Sequence, residues 1–333
     1  MTVRFLIAGA GAIGGYIGAC LARSGQDVTL FARGPHLRAI QERGLTVLSS
    51  EGDFHVDPPV TGDLAETGPS DVIILGVKAH SLTQLAPRLQ PLIGENTTVV
   101  STQNGVPWWY FQAGGGLADG FAGLRLERVD PGGIIGAAID PARVVGAIVY
   151  LGAEIASPGV IRHTEGNRIS LGEPDGSRSP RCRAIAEALI QAGLRCPVST
   201  RIRNEIWVKL LGNVAFNPIS ALTRATLAGM VRDPGVRSLV RSIMAEVEAV
   251  AHKLGVELPV SIEQRIAGAE KVGEHKTSML QDLEAGRPLE LEAVVGAVIE
   301  LADRLGIAMP HTRTVYACAR LLESAGQPKR ATV

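Results

Sequence analysis

With 333 residues, 46% of them hydrophobic, the chain is longer than one typical domain and apolar enough to fill two cores. Lys plus Arg and Asp plus Glu each number 33, so net charge is zero and no nucleic acid or other acidic polymer is expected as a partner. The four cysteines (Cys20, Cys182, Cys196, Cys318) are far apart without a C-x-x-C pair, which argues against structural zinc or a disulfide scaffold and for reduced thiols in the cytoplasm.

Residues 3–8 form an apolar strand that runs into Gly9-Ala10-Gly11-Ala12-Ile13-Gly14, with glycines spaced G-x-G-x-x-G. An Ala/Leu-rich helix follows and stops at Ser24-Gly25. Gly9 makes the tight turn, Gly11 lets backbone touch a pyrophosphate, and Gly14 lets the helix pack on the strand. The free N–H groups of the new helix then hold the phosphate. This apolar N-terminus is read as a fingerprint, not as a signal peptide or a membrane span. A second strand, 27–32, ends beside Arg33, where NAD enzymes place an acid for the ribose 2′-OH. A guanidinium there can grip a 2′-phosphate, which favours NADP over NAD; the plainer alternative is an exposed loop arginine.

Residues 45–48 and 53–56 read as a small hairpin or edge strands ended by Pro58-Pro59, and 71–77 as a buried parallel strand. Lys78 follows that strand directly, where it either contacts a phosphate or ribose or is a solvated loop lysine. A helix over 81–92 leads to a strand over 97–102 and then to Gln103-Asn104-Gly105. Asn-Gly is a common turn pair, yet at a strand's carboxyl end Asn104 would point into the same crevice as the glycine loop. The chain has only six Phe, three Trp and four Tyr, and Trp108-Trp109-Tyr110-Phe111 stand in one row, as core or as the wall of a site. Residues 112–143, with Gly114-Gly-Gly116, read as a long irregular excursion of the functional or mobile kind. Strands are expected at 144–151, 160–163 and 168–171, with Pro158-Gly159 joining the first two, then a helix over 180–192 and a first domain ending near 199.

After Thr200 only helices are expected, over 201–216, 234–254, 259–270, 276–285, 289–305 and 312–324. The first is apolar nearly all round, yet Lys209, Asn213 and Asn217 recur every four residues, which aligns them in one ridge. Burial would lower the pKa of Lys209 toward the range of proton transfer; the alternative is a surface pair with Glu205. Pro218 should kink or end this helix. Taken by themselves, Ser278 reads as an ordinary helix start and Glu290 as a carboxylate answering a helix dipole.

These residues together resemble the ketopantoate reductase (2-dehydropantoate 2-reductase) family. The resemblance runs through Gly9 to Gly14, Arg33, Gly76-Val-Lys78, Gln103-Asn-Gly105, Trp207-Val-Lys209 with Asn213 and Asn217-Pro218, Thr277-Ser-Met-Leu-Gln-Asp282 and Glu290. It implies a Rossmann-type α/β domain (1–199) followed by an all-α domain (200–333), like the 6-phosphogluconate dehydrogenases. The implied reaction is NADPH-dependent reduction of a 2-oxo acid, ketopantoate to (R)-pantoate, in pantothenate and coenzyme A biosynthesis. By resemblance Lys209 is the general acid, Asn104 bridges nicotinamide ribose and substrate, and Lys78 binds cofactor. Asn213, Asn217 and Ser278 hold the substrate's carboxylate and hydroxyls, and Glu290 contacts substrate or cofactor, which reverses the structural reading of Ser278 and Glu290. The aromatic row and the Gly-rich excursion exceed the family pattern. They leave open a reductase of another keto acid, carbonyl or imine; a non-catalytic NADP-binding sensor fits the intact Lys209 less well. A soluble, cytoplasmic protein without metal is expected, and a homodimer is left open.

Overall fold

In the computed structural model, which describes residues 3–112 and 120–326, the alternating apolar runs and turns become one nine-stranded sheet. Its strands are β1 (Arg4–Ala8), β2 (Asp27–Phe31), β3 (Leu45–Leu48), β4 (Phe54–Val56), β5 (Val60–Thr61), β6 (Val72–Leu75), β7 (Thr98–Ser101), β8 (Val144–Ser157) and β9 (Val160–Gly172). Their spatial order is β4-β3-β9-β8-β7-β6-β1-β2-β5. β1 has parallel neighbours on both sides, with Ile7 opposite Leu30 of β2 and Ile74 of β6. From β1 the chain first steps to β2 on one side, and β6 later takes the place on the other side of β1. The strand ends there are the switch point at which open α/β sheets bind ligands.

Five helices accompany the sheet: α1 (Ala12–Arg23), α2 (Gly34–Arg43), α3 (Leu82–Leu89), α4 (Ile134–Ala138) and α5 (Pro180–Gln191). Beyond them, among the described residues, only helices follow: α6 (Ile202–Thr223), α7 (Leu227–Arg232), α8 (Pro234–Lys253), α9 (Ile262–Val272), α10 (Ser278–Glu284), α11 (Ala297–Leu305) and α12 (Pro310–Gly326). A π-helical turn, Glu292–Gly296, leads into α11. No helix among them is long and apolar enough to cross a membrane.

Alternation along β1 sends Phe5 and Ile7 to one face of the sheet and Leu6 and Ala8 to the other. The first face is closed by Ile17 and Leu21 of α1 and Ile185 and Leu189 of α5. The second continues from Leu6, Ile73 and Leu75 through Trp109 into Trp207, Leu211 and Val298 of the helical part. The sheet thus separates two cores, and they are not one per expected domain: the second runs without a break from the sheet into the helices.

Four expectations change. The predicted strands 160–163 and 168–171 are one strand, β9, paired antiparallel with β8 through register shifts near Gly152; the turn at Pro158-Gly159 is as read, with Gly159 at φ +79. Pro218 does not end α6, which runs on to Thr223. α8, α10 and α12 pack around that helix, and this enclosure outweighs the one backbone hydrogen bond that proline removes. Residues 120–143 of the excursion are built into the fold: the buried Asp130 carboxylate accepts from the N–H groups of Ile135 (2.7 Å) and Gly136 (3.0 Å) and so starts α4. Glu300 of α11 accepts from the N–H groups of Glu127 and Arg128, both at 3.0 Å, tying this stretch to the helices; Gly114–Gly116 lie outside the described residues. Finally, α2, α7 and β5 went unpredicted, the last two being too short for a periodic signal.

Candidate active site

The glycine turn is a seam of close backbone contacts. Gly9 takes φ +113, and a Cβ on Gly14 would lie 2.2 Å from the Gly9 carbonyl oxygen. Gly76, at the end of β6, completes the seam, since its Cβ would fall 2.4 Å from that same oxygen. Gly11 differs, with nothing within 4 Å of its would-be Cβ. It caps α1 without any side-chain cap and without an acid in the first turn, so the N–H groups that Ala12 and Ile13 begin lack an internal partner. An uncapped helix end beside an open glycine fits a dinucleotide's pyrophosphate. Ala10 lies within the turn as scaffold, its N–H donating to the Phe31 carbonyl at 2.7 Å. Arg33 is exposed just past β2, at the start of α2.

On α6 the ridge forms as predicted, but Lys209 does not pair with Glu205. Its Nζ donates to the Val149 carbonyl of β8 at 2.6 Å and lies 5.5 Å from the centre of the Tyr150 ring. Burial pushes this lysine down to about 8. Glu290 pulls the other way and Arg265 adds to the lowering, so desolvation wins over the nearby carboxylate. Lys209 and Asn213 line a cleft of about 350 Å³, counting its solvent-filled mouth, together with Ser101, Asn104, Trp109 and Ile148.

Glu290 is joined to this cleft from the far side of the chain. Its carboxylate accepts from the Asn104 amide at 3.2 Å and from the Ala79 N–H at 3.1 Å, bridging segments 186 and 211 residues apart. Asn104 is set there by Gly105, at φ +93, whose Cβ would meet the Ala293 carbonyl of the π-helical turn at 2.2 Å. Lys78 is not free: it pairs with the buried Asp282 of α10, which also takes Arg287 at 3.0 Å. Asn217 is buried further along α6 and does not line the cleft. Ser278 is exposed at the first position of α10, whose cap is Thr277, accepting from the Leu280 N–H at 3.2 Å. The structure thus gathers Lys209, Asn213, Asn104 and Glu290 and leaves Asn217 and Ser278 outside the cleft lining.

Two family models match the chain: ketopantoate reductase PanE/ApbA over residues 5–107, and its C-terminal counterpart over 201–323. The chain belongs to the ketopantoate reductase family. It is 49% identical over 321 residues to the 2-dehydropantoate 2-reductase of Mesorhizobium japonicum, covering 96% of this chain and 98% of that one. A structure from Ralstonia solanacearum assigned to the ketopantoate reductases superposes with a TM-score of 0.92 at 40% identity, covering 98% of this chain and 99% of that one. The 2-dehydropantoate 2-reductase of Geobacter metallireducens gives 0.83 at 29%, covering 96% and 99%.

The stretch between the two matched regions of this reductase-family chain supplies residues that sequence reasoning missed. Ala147, Ile148 and the Val149 carbonyl come from β8, and Trp109 settles the question of the aromatic row in both senses. All four aromatics are buried, and Trp109 also walls the cleft, its indole edge against Gly146, where a Cβ would lie 2.8 Å away. Tyr110 accepts from the Trp207 indole N–H at 2.9 Å, which anchors the row to α6. Asp282, quoted only as part of a motif, proves to be the partner of Lys78.

Proposed function

We propose that this protein is an NADPH-dependent 2-oxo-acid reductase that converts 2-dehydropantoate (ketopantoate) to (R)-pantoate. The observation that carries this reading is Lys209: an enclosed ammonium, lowered to about 8, in one cleft with Asn104 and Asn213 at the end of β7. A group poised near neutral pH is suited to give its proton to a carbonyl oxygen. NADPH, when bound, would supply the hydride to the carbonyl carbon. Asn104 and Asn213 orient the substrate, while Glu290 holds Asn104 in place and steadies the charged form of Lys209. Asn217 and Ser278 would meet the substrate's carboxylate and hydroxyls once the cleft closes. Gly9, Ala10, Gly11, Ala12, Ile13 and Gly14 form the pyrophosphate seat, Arg33 reads the 2′-phosphate, and Lys78 turns from Asp282 to the cofactor. In this scheme residues 1–199 are the nucleotide-binding domain and 200–333 the substrate domain of a cytoplasmic homodimer.

NADPH consumption with a panel of 2-oxo acids tests the proposal, and ketopantoate is expected to give the highest kcat/KM. The Trp109 wall favours one second reading, a different 2-oxo acid, and faster turnover of another panel member would select it. No turnover with any acid refutes the reductase. For the cofactor, Arg33→Ala should weaken NADPH by about tenfold and leave NADH nearly unchanged; equal loss of both removes Arg33 as the 2′-phosphate reader.

A further inference from the structure

Arg265 of α9 rests on α6 at Gly212, the residue between Lys209 and Asn213 on the helix that lines the cleft. A Cβ on Gly212 would lie 2.6 Å from Arg265 Nη2 and 2.9 Å from Nε, so the glycine is the seat of the guanidinium. Arg265 Nε is shut off from solvent and has no hydrogen-bond partner, and among the described residues no carboxylate pairs with this side chain. The acid two residues before it, Glu263, is already taken by Arg237 at 3.3 Å and Arg241 at 2.6 Å. The charge of Arg265 reaches Lys209 and Tyr150. Two desolvated cations therefore meet at one stretch of α6, Lys209 on that helix and Arg265 from α9, and among the described residues Glu290 is the carboxylate whose charge reaches Lys209. A desolvated guanidinium without a partner is unfavourable unless an anion completes it, and a carboxylate matches its two-pronged donor geometry.

We propose that Arg265 supplies the counter-charge of the substrate's carboxylate beside the neutral contacts of Asn217 and Ser278, and that this charge selects 2-oxo acids over uncharged ketones. The proposal rests on the reductase reading above. A 2-oxo acid carries its carboxylate on the carbon bonded to the carbonyl, so an oxygen placed at Lys209 Nζ brings the carboxylate toward the guanidinium that α9 lays on Gly212, three residues further along α6. The glycine explains itself in these terms: any side chain at 212 would displace the guanidinium.

Two variants of the full chain test this with NADPH bound. Arg265→Met keeps the apolar stem and removes the charge; Gly212→Ala keeps the charge and fills its seat. For each, kcat/KM is measured on 2-dehydropantoate and on its uncharged lactone. The acid should lose roughly 10- to 100-fold while the lactone stays near the parent value. Equal loss on both substrates, or no loss on the acid, overturns the assignment. NADPH affinity and thermal unfolding serve as controls, and Gly212→Ala carries the test if Arg265→Met does not fold. If the parent enzyme reduces neither compound, ketopantoate as the substrate has failed. Calorimetric binding of oxamate to the NADP-loaded parent and to Arg265→Met then decides the Arg265 assignment on its own: weaker binding to the variant supports it, and equal affinity overturns it.

Discussion

The glycine turn and the polar cleft lie side by side, yet they are made of different material. In the turn, backbone meets backbone: Gly9, Gly14 and Gly76 approach so closely that a methyl group has no place, and the helix end beyond them is bare. In the cleft, side chains from β8, α6, the end of β7 and the segment before the π-helical turn converge on one lysine. The first region works by shape and by peptide dipoles, the second by charge held out of water. A substitution should therefore damage the turn through sterics and the cleft through electrostatics, and the two kinds of damage should separate.

The largest separation is expected at Lys209. Lys209→Ala should lower kcat by about 10² to 10⁴-fold, the range of a positioned general acid, while NADPH titrates as in the parent. Parallel loss of cofactor binding would show that the two regions act as one unit. Next comes a pair within the turn. Gly11→Ala meets nothing within 4 Å in the protein, so its unfolding midpoint should hold while NADPH affinity falls about 10- to 100-fold where backbone and pyrophosphate must touch. Gly14→Ala drives a methyl against the Gly9 carbonyl and should cost about 2–4 kcal/mol in denaturant unfolding. If both variants lose stability alike, Gly11 is packed against protein and not kept open for a ligand.

The same difference in material explains what the chain disclosed before it was folded. A steric motif is local, so Gly9, Gly11 and Gly14 with their flanking strand and helix can be read directly, as can the four-residue repeat of Lys209 and Asn213 on a helix too apolar for the surface. Glu290 could not be read that way. Its carboxylate looks like any charge ahead of a helix until the fold brings Asn104 to it across 186 residues. Lys78 was legible as a strand-end lysine but not as the partner of Asp282, and Arg265 carried no signal because its meaning lies in a glycine on another helix. Pro218 misled because the cost of a proline is counted locally, whereas the enclosure that keeps α6 helical is not.

The smallest effect is the most specific to the cleft. Lys209 must be protonated to act as the acid, so kcat/KM for reduction should be flat at neutral pH and fall as pH rises through about 8. Glu290 favours the ammonium and Arg265 opposes it, so their removal should move this limb in opposite directions. Glu290→Gln takes away an attraction: Lys209 releases its proton more readily and the limb shifts to lower pH, by about one unit or less. Arg265→Met takes away a repulsion and shifts it up by a similar amount. At neutral pH either change alters the rate of the proton step little, so the full profile has to be measured. Shifts of opposite sign mean that two fixed charges tune the acid. Shifts of the same sign mean that both variants act by letting water in, and the description of the cleft as an electrostatic site would then give way to one in which burial alone sets the pKa of Lys209.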